Sequence, residues 1–215
     1  MSATGYPKEM YIFLLKNTGL IEQGSLTDVV ETTIFSEINE RIASRLERRL
    51  WEQNYDALEI NETMLCPIHW PRRKDETRLA YYRIGETGEG NERWLSSLLG
   101  LNGAQTCFHL YVDGRLGGPK VNVRERIQEF YAKTPALQEL GFTCTDGELR
   151  LPFSFDAAKL AEEYPDLRKR LLEFEKVFDR LLKGNDLIEK LIMSMTPEKA
   201  NPQPDAAALE PMAKK

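Results

Sequence analysis

Both histidines of this 215-residue chain lie within three residues of a cysteine, as Cys66-x-x-His69 and Cys107-x-His109. Thiolate sulfur and imidazole nitrogen suit tetrahedral zinc. The spacing argues against that use. Side chains of an extended strand alternate between faces, so Cys66 and His69 point opposite ways unless Pro67 turns the chain. Cys107 with His109 is the one thiol–imidazole pair that could act as nucleophile and base. Two residues apart on a strand, they are expected to lie in parallel rather than to meet. The preferred reading is buried thiols and incidental histidines, with no metal and no cofactor assigned.

The stretch His69-Trp70-Pro71-Arg72-Arg73-Lys74 sets three cations beside an aromatic ring. Such a combination can hold a phosphate backbone and stack a base. Arg41, Arg45 and Arg48 recur at helical spacing and could extend the patch. If nucleic acid binds, these six cations are expected to hold it. Against that, Asp75 and Glu76 follow at once, and Glu37 is placed to pair with Arg41 at i,i+4, so a solvated charged turn is preferred. Glu37, Glu40, Asp56, Glu59 and Glu62 form a carboxylate-rich stretch. A nuclease core holding magnesium would need an acidic-x-Lys pair on the following strand, and none is there. Gly85-Glu-Thr-Gly88-Glu-Gly90 lacks the strand-to-helix setting of a dinucleotide loop, and its glutamates would repel phosphate. Ser96 and Ser97 precede Leu98 with no nucleophile elbow.

These residues depend on the elements that carry them. Val30, Ile34, Ile38, Ile42, Leu46 and Leu50 recur every fourth residue, with Val29 and Trp51 widening the stripe. Ser25 and Asp28 approximate a capping box, so a long amphipathic helix is expected from Ser25 to Asn54. Leu58, Ile60 and Met64-Leu65 mark a strand before Pro67, and Arg78 to Ile84 marks another. Thr106 to Val112 is β-rich and ends at Asp113-Gly114. Arg124 to Leu140 takes helical period, Gly141 stops it, and Leu149 to Phe153 is extended again. Trp94 to Leu101 reads as a strand or a helical turn. Leu160, Tyr164, Leu167, Leu171, Phe174, Phe178 and Leu181 form one apolar stripe, and Gly184 is expected to end that helix before a short one from Asp186 to Met195.

The expected fold is α+β. An antiparallel sheet of four or five strands is packed by the long N-terminal helix and the C-terminal helices. Residues 1–24 form an N-terminal segment, residues 25–195 one domain, and residues 196–215 a Pro-, Ala- and Lys-rich disordered tail. Hydrophobic content of 41% can build a core, and a net charge of −5 argues against a surface coated in base while leaving room for a local patch. The apolar run Met10 to Leu15 is too short to span a bilayer. Three cysteines read as reduced thiols in a cytoplasmic protein.

The succession Phe108–Gly114, Arg124–Phe142, Glu148–Asp156 and a charged amphipathic helix resembles the non-catalytic accessory domains of bacterial restriction-type and phage-defence nucleases, across residues 78–183. The resemblance implies recognition within a genome-conflict setting. The expected function is therefore a non-enzymatic protein-interaction subunit or inhibitor. Its partner is another protein, met through Trp70, Arg72, Arg73, Lys74 and Trp94, because aromatic and Arg anchors dominate interfaces. Trp51 is assigned to the core. The competing class is a nucleic-acid-binding or metal-dependent nuclease-like protein.

Overall fold

The computed structural model describes residues 13, 16–17, 27–47, 50–54, 63–73, 77–86, 97–99, 105–119, 121–156 and 167–196; among these, the side chains of residues 27–33, 35, 54, 86 and 167–172 are left out. Most of the expected N-terminal segment and nearly all of the expected tail thus lie outside the described residues. In chain order the elements are α1 (Thr27–Arg45), β1 (Trp51–Asn54), β2 (Met64–Pro67), β3 (Ala80–Glu86), β4 (Thr106–Val112), α2 (Val123–Ala132), α3 (Pro135–Glu139), β5 (Thr143–Thr145), β6 (Glu148–Phe153) and α4 (Leu167–Met195). The strands form one antiparallel sheet in the order β1-β2-β3-β4-β6-β5. The α+β class holds, with six strands among the described residues against the expected four or five.

Alternation divides the sheet into two faces. On β3, Ala80, Tyr82 and Ile84 are fully buried while Arg83 is exposed. On β6, Leu149, Leu151 and Phe153 are buried and Glu148 and Arg150 are half-buried. The buried phase meets α1 and α4. Phe108 and Phe153 lie 5.9 and 5.4 Å from the Phe174 ring, and Phe178 continues the cluster 6.1 Å from Phe108. Aromatic pairs of this kind contribute about 0.5–1.5 kcal/mol each beyond the area they bury.

Helix α1 buries Ile34, Ile38 and Ile42, and Leu46 just past its end continues the stripe that its period predicts. It ends at Arg45, nine residues short of the expected Asn54. No Pro or Gly stops it; tertiary pairing does. Trp51–Asn54 instead forms β1 against Pro67–Met64, and Trp51 stacks 6.2 Å from Tyr82. Among the described residues the longest helix is α4, at 29 residues, and it runs straight through Gly184. There a Cβ would meet the Phe142 ring at 2.4 Å, so the glycine is a packing notch rather than a stop.

The expected Arg124–Leu140 helix breaks in two. A proline disfavours helical backbone in the residue before it but is tolerated in the first turn of a new helix. Thr134 accordingly leaves the helix at φ −126°, and Pro135 opens α3. Gly141, at φ +87°, closes α3 with Gly141 N–H donating to Gln138 O and Phe142 N–H to Leu137 O, a Schellman cap. Asp146 and Gly147, at φ +53° and +74°, then turn β5 into β6. Among the described residues, no helix is long and apolar enough to cross a membrane.

Candidate functional site

The polar phase of the sheet gathers the residues of greatest chemical interest. Register pairs Met64 with Arg83, Arg83 with His109, His109 with Arg150, and Arg150 with Thr143. One row therefore crosses five strands. Neighbouring strands stand about 4.8 Å apart, which sets Arg83 and Arg150 roughly 10 Å apart on either side of His109. In the next row Tyr81 faces Tyr111, with ring centroids 4.7 Å apart and planes at 29°. Tyr111 is 47% exposed.

Three described carboxylates of this face are each held by arginine. Arg150 donates to Glu148 at 2.5 Å. That bond, with the charges of Arg150, His109 and Arg124, keeps the Glu148 carboxyl below the usual range despite partial burial. Arg115 grips Asp113 through its guanidinium and its backbone N–H, holding that carboxyl down at about 2, with Arg73 adding charge. Burial pushes Glu52 up, but hydrogen bonds and charge from Arg78 and charge from Arg72 outweigh it and leave the carboxyl lowered. Among the described residues, six arginines (72, 73, 78, 83, 115 and 150) stand with these three carboxylates. Among the described residues of this face arginine outnumbers carboxylate, in a chain that has 29 Lys and Arg against 34 Asp and Glu.

Cys107 and His109 do meet, contrary to expectation. Cys107 Sγ lies 2.8 Å from His109 Nε2. Residues i and i+2 are separated by about 6.6 Å along a strand, a gap that the imidazole closes by leaning along it. The sulfur is fully buried, and a thiol nucleophile needs access. The contact orients His109 on the face. Cys66 and His69 part company: Cys66 donates to Ala80 O at 3.2 Å, and His69 Nε2 lies 2.9 Å from Glu189 on α4. Among the described residues, no three His, Cys, Asp or Glu gather where they could hold a metal ion.

The anchors chosen from the sequence scatter. Trp70 is 1% exposed and packs 5.3 Å from Tyr82, so it is a core residue and not a partner contact. The turn between Pro67 and Pro71 folds it back over the buried face. Arg72 is half-buried and bonded to Glu52, and Arg73 is exposed. Arg41 donates to Glu175 at 2.6 Å, and Arg45 reaches Glu175 and Asp179. Those two arginines tie α1 to α4 on the helical side of the sheet. Glu52 projects to the other side, because its neighbours Trp51 and Gln53 contact Tyr82 and Asn39. The expected six-cation patch is therefore divided. Lys74, Trp94, Arg48, Asp56, Glu59 and Glu62 lie outside the described residues. Trp51 is partly buried against the core, on a strand rather than a helix. Ser97 is buried, with its hydroxyl 3.0 Å from that of Thr106.

Sequence reasoning overlooked Arg83, Arg150, Tyr81 and Tyr111. The signal that finds them is the polar phase of β3, β4 and β6, read together as one surface. An open cleft of about 340 Å³ between Leu46, Leu50 and Trp51 and the Leu182–Asp186 turn of α4 lies on the helical side. Its Asn185 is already engaged, accepting from the buried Tyr82 hydroxyl at 3.0 Å. No family model matches this chain, and neither does any curated protein or solved structure.

Proposed function

We propose that this chain is a non-enzymatic binding protein that holds a macromolecular partner on the outer face of its sheet. One observation carries the reading. The six-stranded sheet directs its apolar phase into the helices and leaves Arg83, His109, Arg150 and the Tyr81–Tyr111 stack on the other side. Arg and Tyr are the residues that most often anchor macromolecular contacts. An ordered sheet presents them at fixed backbone spacing, so binding does not have to order the chain that carries them. The Cys107–His109 contact supports positioning rather than chemistry, because its sulfur is enclosed. The genome-conflict setting implied by the resemblance rests on periodicity alone.

Affinity capture from the native host tests the reading. The wild-type chain, a variant carrying Arg83→Glu with Tyr111→Ala, and an Arg126→Glu control are compared. Arg126 is well exposed on α2 and its reversal changes charge by the same amount elsewhere. The expected result is one macromolecular partner retained by the wild type and control and released by the face variant. Equal recovery by all three defeats the assignment.

A further inference from the structure

We infer that the cleft on the helical side of the sheet, between the end of α1, β1 and the middle of α4, binds a small uncharged aromatic molecule that carries a hydrogen-bond acceptor. The site lies across the sheet from the face proposed above and stands or falls separately from it.

A buried amide is the first argument. Asn185 is 6% exposed, and the Tyr82 hydroxyl donates to its Oδ1 at 3.0 Å. Tyr82 is itself fully buried, so that bond fixes which way the amide points. The two N–H donors on Asn185 Nδ2 therefore turn away from Tyr82. Among the described residues they meet no acceptor. The unpaired side-chain atoms sealed from solvent there are Trp70 Nε1 and Arg150 Nε, so Asn185 Nδ2 keeps an opening. That opening is the cleft that Asn185 lines. A donor on so enclosed a side chain is costly to leave unmade, and a carbonyl oxygen or a ring nitrogen matches it.

Shape and polarity supply the rest. Leu46, Leu50, Trp51 and Leu182 make apolar walls. Leu50 stays 52% exposed, so a molecule in the cleft removes apolar surface from water. The Trp51 ring is stacked 6.2 Å from Tyr82, which orders an aromatic wall for a flat ring to pack on. A volume of about 340 Å³ is at the small end for ligand sites and suits one or two fused rings. The described rim carries both signs, Arg45 and Lys183 with Glu47 and Asp186, and Arg45 is committed to Glu175 and Asp179. It selects no charge.

Saturation-transfer NMR of the full chain near neutral pH, titrated separately with quinoline and with indole, tests the site. The two probes are of similar size, but the quinoline nitrogen accepts whereas the indole nitrogen only donates. Quinoline should bind with a Kd on the order of 1 mM, about 2- to 10-fold more tightly than indole. Leu50→Ser alters a half-exposed wall residue and should weaken both probes about 2- to 10-fold. Asn185→Asp still accepts from Tyr82 but loses the donors, so the order of the two probes should reverse. If melting curves show that this variant does not fold, Tyr82→Phe replaces it. The amide is then released to turn either way, and the preference for quinoline should shrink toward none. Arg126→Glu should match the wild type. Failure of both probes to bind at millimolar concentration overturns the inference. So does equal affinity for the two, or binding that ignores Leu50→Ser. A dimer in sedimentation that Leu50→Glu dissociates makes the cleft a contact between two copies and overturns it as well.

Discussion

Arg78 ties the β1–β2 end of the sheet to the turn that carries Trp70. Its side chain is 5% exposed. Its guanidinium donates to Ile68 O at 3.0 Å, to Trp70 O at 3.2 Å and to Glu52 through two nitrogens. Removing it strands two carbonyls beneath the turn that folds Trp70 inward. Arg78→Ala should therefore lower stability by about 2–3 kcal/mol in urea titration. Arg72→Ala, which removes a more exposed contact to the same Glu52, should cost no more than about 1 kcal/mol. The thiols give a second check at this scale. Cys66 and Cys107 are buried, and burial pushes the Cys66 thiol up to about 12. Only Cys144 is partly open, and burial raises its thiol as well. Thiol titration of the folded protein near neutral pH should label at most Cys144, slowly, while denatured protein should yield all three.

At the level of elements, the instructive case is Gly184. A glycine inside a helix ordinarily costs about 1 kcal/mol relative to alanine, so it reads as a place to stop. Here α4 continues, because the missing Cβ admits the Phe142 ring. Gly184→Ala should destabilise by about 1–3 kcal/mol through overpacking instead of stabilising. Combined with Phe142→Ala, which removes the ring, the same substitution should become favourable, and a double-mutant cycle measures the difference. Three joints of the fold were legible in the residues themselves. Gly141 stops a helix, Thr106–Val112 is a strand to its stated ends, and Leu149–Phe153 is a strand with a buried phase. The end of α1 was not legible. Its four-residue repeat runs on to Leu50, and only pairing with β2 shows why Trp51 to Asn54 leaves the helix.

For the molecule as a whole, the arginine-held carboxylates of the outer face contribute to acid stability. Asp113, Glu52 and Glu148 all hold their protons more weakly in the folded chain than an ordinary carboxyl does. Lowered folded values mean that their stabilisation is fully present above the unfolded range near pH 4. It disappears as pH falls through the folded values, for Asp113 down to about 2. The melting temperature should fall between about pH 5 and pH 2, with these groups contributing no slope near neutrality. Arg115→Gln should shrink the Asp113 share without abolishing it, because the Arg115 backbone N–H also holds that carboxylate at 2.8 Å. Calorimetry across this range checks both points.

Period and turn chemistry sufficed to establish the α+β class, the buried stripe of α1 from Ile34 to Ile42 and the Phe174–Phe178–Leu181 stripe of α4. These follow from local rules, since a helix or strand must hide one face whatever it packs against. Which surface would be left over does not follow locally. Trp70 looked like an exposed anchor until a turn brought it over Tyr82, and Arg41 and Arg45 looked like a nucleic-acid patch until α4 supplied Glu175 and Asp179. Arg83, His109 and Arg150 come from strands spread over 68 positions of the chain, counting Arg83 to Arg150 inclusive. Only the register of β3, β4 and β6 makes them neighbours, because strand pairing joins residues by geometry and not by their distance along the chain.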